Sequence, residues 1–255
     1  MGTMMPFDLA KTRAAKYVAE RPSLVTKSLN VGGPGMLKEG MSEPSVFRRF
    51  PQAKSALVAG TLTDSVALMI DLSPFSRVVS ESTPTEIHRL LASYYDVTVK
   101  AIETHGGVVE KYIGDAVVAL FGAPFRDGAT APSDVSAAFT AGRVSIALVH
   151  DLFGGQIHAK CAISRGQLFL GYIGPSSHPE LTAVGNPLTV LFRLEDTAEP
   201  REIVLTLDTY KQIAPTFIKV PAGWRSSGKT WDETEDNIEL RGVGPTKIMR
   251  CRVDV

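Results

Sequence analysis

The chain has 255 residues, 27 Lys+Arg against 27 Asp+Glu and so no formal net charge, with 44% hydrophobic residues and two cysteines. The charge balance excludes a protein that grips nucleic acid through a broad basic face, and two thiols exclude a cysteine-stapled secreted fold. A chain of this length buries a full core as one large domain, or as one domain with an extension.

The first residues, Met1 to Glu20, intersperse Asp8, Lys11, Arg13 and Lys16 among short apolar pieces, so no apolar signal core is present. No run reaches the ~18–20 apolar residues of a bilayer span. The expectation is a cytoplasmic protein without a membrane span. Residues 6–20 read as a short helix, and Val31-Gly-Gly-Pro-Gly35 breaks any regular element. Phe47 to Phe50 places two arginines between two phenylalanines. Residues 1–64 are read as an N-terminal arm or regulatory extension, and 65–255 as the folded domain.

From Ser65 the pattern becomes regular. Val66 to Ile70 is a continuous apolar run, as in a strand buried on both faces. Thr83-Pro-Thr-Glu86 supplies a hydroxyl cap, Pro at the first helical position and Glu three residues after the cap. Ile87, Leu90, Leu91, Tyr94, Val97 and Ile102 follow at helical spacing, and Gly106-Gly107 ends the helix. Val108–Ile113 and Ala116–Phe121 read as a hairpin turning at Gly114-Asp115. Pro132–Leu152 is a second long helix. Gln156–Ser164 and Gln167–Ile173 flank Arg165-Gly166 and read as a second hairpin. Asn186–Asp196 is a third helix, followed by strands at Ile203–Leu205 and Thr216–Val220. A polar loop is expected over 221–236, holding Trp224 and Trp231, and a closing pair of strands at Asn237–Arg241 and Lys247–Val253. Hairpins among interleaved strands and helices predict an α+β fold, a mixed, mainly antiparallel sheet with helices packed on it.

Two carboxylates stand out. Asp71 ends the apolar strand, where a strand opening into a loop usually places a ligand. Asp115 sits at the tip of an equally apolar hairpin. Taken singly, Asp115 equally fits a Gly-Asp turn and Asp71 a helix cap. Taken together, two carboxylates at two strand ends suit one hard cation.

The surrounding residues resemble a known family. Ile70 to Ser76 (Ile-Asp-Leu-Ser-Pro-Phe-Ser) resembles the first metal motif of class III adenylate and guanylate cyclase catalytic domains. His105 to Pro124 resembles their second in nearly every position, and Asp115 follows Asp71 by the expected 44 residues. Gly185 and Arg193-Leu-Glu195 match the third signature, and Ile238-Glu-Leu-Arg-Gly242 lies where the family has a phosphate-binding Lys-Gly. The resemblance covers about residues 64–254, with four signatures in order, and implies the family's ferredoxin-like core.

The resemblance implies a reaction: a nucleoside triphosphate becomes a 3′,5′-cyclic nucleotide and pyrophosphate. Asp71, Asp115 and the Leu72 carbonyl would hold two divalent ions, Mg²⁺ or Mn²⁺. Backbone N–H groups of the Leu72–Ser76 loop, at Phe75 and Ser76, would meet phosphate; Pro74 replaces the usual Gly there and removes one donor. Lys111 and Thr182 would read the base, and this pairing is closer to an adenine reader, which makes ATP the default substrate. Thr189 stands where the family orients the ribose with Asn, and Arg193 where it stabilises charge on the transferring phosphorus. Arg241 keeps the C-terminal phosphate charge with a fork geometry. Because one chain carries both half-sets, a head-to-tail homodimer with shared sites is implied.

Thr189 is the main departure, since a β-branched hydroxyl reaches less far than a carboxamide. It leaves open a pyrimidine cyclase, similar to stand-alone bacterial enzymes of anti-phage systems that make cyclic UMP or cyclic CMP. A catalytically silent, nucleotide-binding regulator is a further alternative. On their own residues, Lys111 fits a solvated charge, Arg193 a surface ion pair with Glu195 or Asp196, and Tyr94-Tyr95 a core and interface position. His88, His105, His150, His158 and His178 lack ligand spacing, and no Walker loop is present.

Overall fold

The computed structural model describes residues 12–13, 50–122, 124–125, 132–177, 179–213 and 231–255. Apart from Thr12, Arg13 and Phe50, the segments anticipated at 6–20, 31–35 and 47–50 lie outside the described residues, as do Thr216–Val220, Trp224 and His178.

The elements run in the order α1 (Lys54–Ala59), β1 (Thr61–Ser73), α2 (Phe75–Glu81), α3 (Pro84–Thr104), β2 (Val108–Ile113), β3 (Ala116–Gly122) and α4 (Pro132–Phe153). They continue with β4 (His158–Ile173), β5 (Glu180–Val184), α5 (Asn186–Glu195), β6 (Glu202–Thr206), α6 (Leu207–Tyr210), β7 (Trp231–Leu240) and β8 (Gly244–Val253). One sheet is ordered β2-β3-β1-β4-β6-β8-β7, with β5 paired to the far end of β4. Its neighbours are antiparallel except β4 with β6. The α+β architecture with a mixed sheet is the one read from the sequence.

The unbroken apolar run of β1 has a direct cause. Val66, Leu68, Ile70 and Leu72 join one core cluster, with Leu90 and Tyr94 of α3 and Phe139 and Ile146 of α4. Ala67 and Met69 alternate into a second cluster, with Leu57 of α1 and Leu191 and Leu194 of α5. A strand covered on both faces has no polar side, and each fully buried Val, Leu or Ile contributes roughly 1.5–3 kcal/mol. The capping box forms as read: Thr83 Oγ1 accepts from the Glu86 N–H at 3.4 Å, and Glu86 Oε2 accepts from the Thr83 N–H at 2.8 Å.

Three expectations change. β1 runs through Ser73 with Asp71 opposite Lys160 of β4, so Asp71 lies inside the strand and not in an opening loop. The second hairpin is one straight strand, β4, in unbroken register with β1, Val66 facing Arg165 and Ser65 facing Gly166. Arg165 is not a turn residue, because its Nη2 binds Asp64 Oδ2 on β1 at 2.7 Å. Gly166 (φ +145°) is bare because a Cβ there would lie 3.0 Å from Cγ of Pro187. The polar run Trp231–Asp236, expected in a loop, is the first half of β7, which among the described residues pairs only with β8. A polar sequence suits a sheet edge, where it discourages pairing with other chains.

Two substitutions test this packing by thermal denaturation. Gly166→Ala is expected to destabilise by about 1–3 kcal/mol through its φ and the contact with Pro187. Thr83→Ala is expected to cost about 1 kcal/mol through loss of the cap.

Candidate active site

The antiparallel pairing of β1 with β3 ends at Ile70 opposite Val117. The next residue of β1 is Asp71, and the hairpin turn beside it carries Asp115. Their carboxyl groups hydrogen-bond to each other. Burial, then the charge of Asp115, pushes Asp71 up to about 6. Burial also raises Asp115, against hydrogen bonds from Asp71 and from its own and the Leu72 backbone N–H groups. The Leu72 side chain stays in the core.

Two residues not singled out from the sequence complete this cluster. Lys160 Nζ lies 3.8 Å from Asp71 Oδ2 and 2.6 Å from Glu195 Oε1. Glu195, the last residue of α5, is raised by burial and offset by Lys160. The signal for Lys160 was available in part: it is the one charge in the apolar run Ala159–Ile163, the same cue that marks Asp71. Its pairing with Glu195 crosses from β4 to α5 and has no local sequence trace.

Consecutive tyrosines of α3 hold the peptides that precede the two aspartates. Tyr94, fully buried, donates its O–H to the Ile70 carbonyl at 2.9 Å. Tyr95 donates to the Gly114 carbonyl, and burial and Asp115 push its phenol up to about 12, so it stays a donor. The core position read for this pair holds for Tyr94, and both also fix the site's backbone.

Two half-buried carboxylates this close are unfavourable without a cation. Among the described residues no cluster of three or more His, Cys, Asp or Glu has metal-site geometry. A pair of hard oxygen donors fits Mg²⁺ or Mn²⁺, which take one or two carboxylates and fill the other positions with water and phosphate.

A second group forms across β2 and β5. Lys111 Nζ donates to Thr182 Oγ1 at 2.6 Å and lies 3.3 Å from Glu110 Oε1 and 3.5 Å from Glu180 Oε1. Lys111 and Thr182 therefore meet, and Lys111 is not a free solvated charge. A third group forms on α5 and the β7–β8 turn. Arg193 Nε donates to the Arg241 carbonyl at 3.1 Å, and its Nη1 lies 3.3 Å from Asp196 Oδ2. The ion pair anticipated for Arg193 is thus with Asp196, while Glu195 turns inward to Lys160. Thr189 and the Arg241 side chain are exposed. Phe75 and Ser76 open α2; Phe75 packs on the first core cluster, and Ser76 is exposed.

The mixed sheet with helices on both faces, and the acidic pair that β1 and the β2–β3 turn bring together, match the class III cyclase catalytic fold. Solved structures of the same fold include the adenylyl cyclase CyaB of Pseudomonas aeruginosa, 21% identical with a TM-score of 0.64, covering 77% of this chain and 96% of that one. The guanylyl cyclase Cya2 is 20% identical with a TM-score of 0.62, covering 76% and 95%. The chain belongs to the adenylate and guanylate cyclase catalytic domain family, whose model matches residues 58–248. An uncharacterised protein of Mycobacterium tuberculosis is 25% identical over 154 residues, 60% of this chain and 28% of that protein. The chain spans about a quarter of the length of the curated relatives it matches. Among the described residues no helix is long and apolar enough to cross a membrane.

The raised Asp71 carries a sign. A carboxyl whose folded pKa lies above its unfolded value adds stability at low pH and loses it as pH rises through the folded value. In EDTA-containing buffer, Asp71→Asn is expected to stabilise the protein at pH 7.5 by about 1–2 kcal/mol, a figure discounted for partial exposure. The gain should fade towards pH 4, where Asp71 is itself protonated. Thermal denaturation across that range checks both points.

Proposed function

We propose that this domain cyclises a nucleoside triphosphate, with ATP the default substrate, releasing pyrophosphate. The carboxylate pair Asp71–Asp115 carries the reading. In the reaction the ribose 3′-oxygen attacks the α-phosphorus in line, its proton is lost, and the bond from the α-phosphorus to the departing pyrophosphate breaks. Asp71, Asp115 and the Leu72 carbonyl would hold two divalent cations, which supply Lewis acidity at the 3′-hydroxyl and the triphosphate. Lys160 keeps a positive charge beside that pair. Backbone N–H groups at Phe75 and Ser76 meet phosphate. Arg193 and Arg241, adjacent in space, provide fixed positive charge for the transferring phosphorus and the leaving group. Lys111 and Thr182 read the base, and Thr189 faces the ribose.

The three residue groups lie on one chain in separate pairings. They complete a site when two copies pack head to tail, the carboxylates of one copy facing Lys111, Thr182, Thr189 and Arg193 of the other. Exposed Leu62, Tyr112, Ile113, Tyr172, Ile173 and Val184 give such an interface apolar surface. The proposal includes a cytoplasmic site of action and a regulatory arm over 1–64, although Ala53 and Leu57 already belong to the second core cluster. Thr189, exposed and shorter than a carboxamide, favours one second reading, a pyrimidine cyclase acting in bacterial anti-phage defence.

Incubation with Mn²⁺ and each of ATP, GTP, CTP and UTP tests this, with product identified by mass. Cyclic AMP is expected from ATP. Cyclic product from CTP or UTP alone supports the second reading, and no product from any of the four overturns the enzyme assignment. Asp71→Ala and Asp115→Ala should each lower turnover at least about a hundredfold while the protein stays folded. Mixing equal amounts of Asp71→Ala and Arg193→Ala protomers should restore about a quarter of wild-type activity, since half of the dimers regain one of two sites. No recovery would contradict the shared site.

A further inference from the structure

Consecutive strand residues face opposite ways, yet Glu110 and Lys111 both reach Thr182. The β2–β3 register shifts between Val109 and Lys111, so Glu110 is the extra residue of a bulge. The bulge turns its side chain inward, leaving it 6% exposed. Glu110 Oε1 accepts from the Thr182 hydroxyl at 2.8 Å and from the Ala183 N–H at 3.1 Å. Its Oε2 is buried with no hydrogen-bond partner. A carboxylate held this deep by one oxygen is costly.

The arrangement fixes the polarity of Thr182. A hydroxyl has one hydrogen to give and two lone pairs. The hydrogen goes to Glu110, and one lone pair takes the bond from Lys111. What Thr182 offers a ligand is a single lone pair, so it accepts and cannot donate. Lys111 beside it only donates. At purine C6 and pyrimidine C4 bases differ in the same terms: adenine and cytosine set a donating amino group beside an accepting ring nitrogen, whereas guanine and uracil set an accepting carbonyl beside a donating ring N–H. The carboxylates of Glu110 and Glu180, 3.3 and 3.5 Å from Lys111 Nζ, repel an exocyclic carbonyl oxygen and attract an amino group.

We propose that Glu110 is a specificity-determining positioning residue: by committing the Thr182 hydroxyl as an acceptor, it restricts the enzyme to bases with an amino group at purine C6 or pyrimidine C4, ATP or CTP, over GTP and UTP. This rests on the cyclase reading above.

The test compares kcat and KM for the four nucleotides in wild type and variants. Wild type should favour the better amino base over the better keto base in kcat/KM by about tenfold or more. Glu110→Met removes the acceptor and frees the hydroxyl to donate, so the ratio should fall to within about threefold. Glu110→Gln keeps an amide oxygen for Ala183 and Thr182, so the preference should survive. A role in charge alone would lose it in both variants, and that outcome overturns the orientation mechanism. If Glu110→Met does not fold, Thr182→Val decides: loss of preference supports the proposal, and an unchanged ratio overturns it. A wild-type preference for UTP or GTP overturns the proposal and leaves the cyclase reading standing. No product from any nucleotide overturns the cyclase reading itself.

Discussion

Two carboxyl groups, Asp71 and Asp115, are held in contact at the end of a strand buried on both faces, and much of the molecule works to keep them there. Burial, and after it the neighbouring charge of Asp115, pushes Asp71 up to about 6, so holding the pair together has a cost. The backbone that carries the two side chains is fixed at several points. The β1–β3 ladder fixes one strand against the other up to Ile70 and Val117. Tyr94 and Tyr95 pin the carbonyls just before each aspartate. Lys160 and Glu195 close the third side with an ion pair of 2.6 Å. The site is pre-organised by groups that do not themselves need to touch substrate.

A zero net charge is compatible with holding a polyanion because the charge required is local. Lys160, Lys111, Arg193 and Arg241 are few, and three of them are held by named acids: Glu195, Glu110 and Asp196. Those acids hold the cations in place. Among these acids only Glu110 also reaches a hydroxyl beside its cation, so only there does holding become discrimination between ligands.

The parts legible in the sequence were those with local causes. The capping box, the Gly114-Asp115 hairpin and the doubly buried run of β1 each follow from a few neighbouring residues. Asp71 and Asp115 were legible because a charge inside an apolar segment needs a reason. Arg165-Gly166 misled because its explanation is not local: the glycine makes room for Pro187 and the arginine answers Asp64 on another strand. Glu110 was silent for a similar reason, since a bulge redirects it and alternation alone would aim it elsewhere. Lys160 stood out as a charge in an apolar run, but its place at the site needed the β1–β4 register that sets it opposite Asp71, and Glu195 needed the packing of α5 on β4. The polar first half of β7 was hidden because an edge strand does not carry the apolar alternation of a half-buried one.

On the proposed function, Asp71 and Asp115 hold divalent metal. Electron paramagnetic resonance of Mn²⁺, with a nucleoside triphosphate lacking the 3′-hydroxyl, reads this without turnover. Wild type should sequester Mn²⁺ in a nucleotide-dependent manner, and Asp115→Asn, matched in size and folded to the same thermal stability or better, should lose most of that binding. Equal Mn²⁺ binding by the two proteins would contradict the assignment of Asp71 and Asp115 as the metal-holding pair.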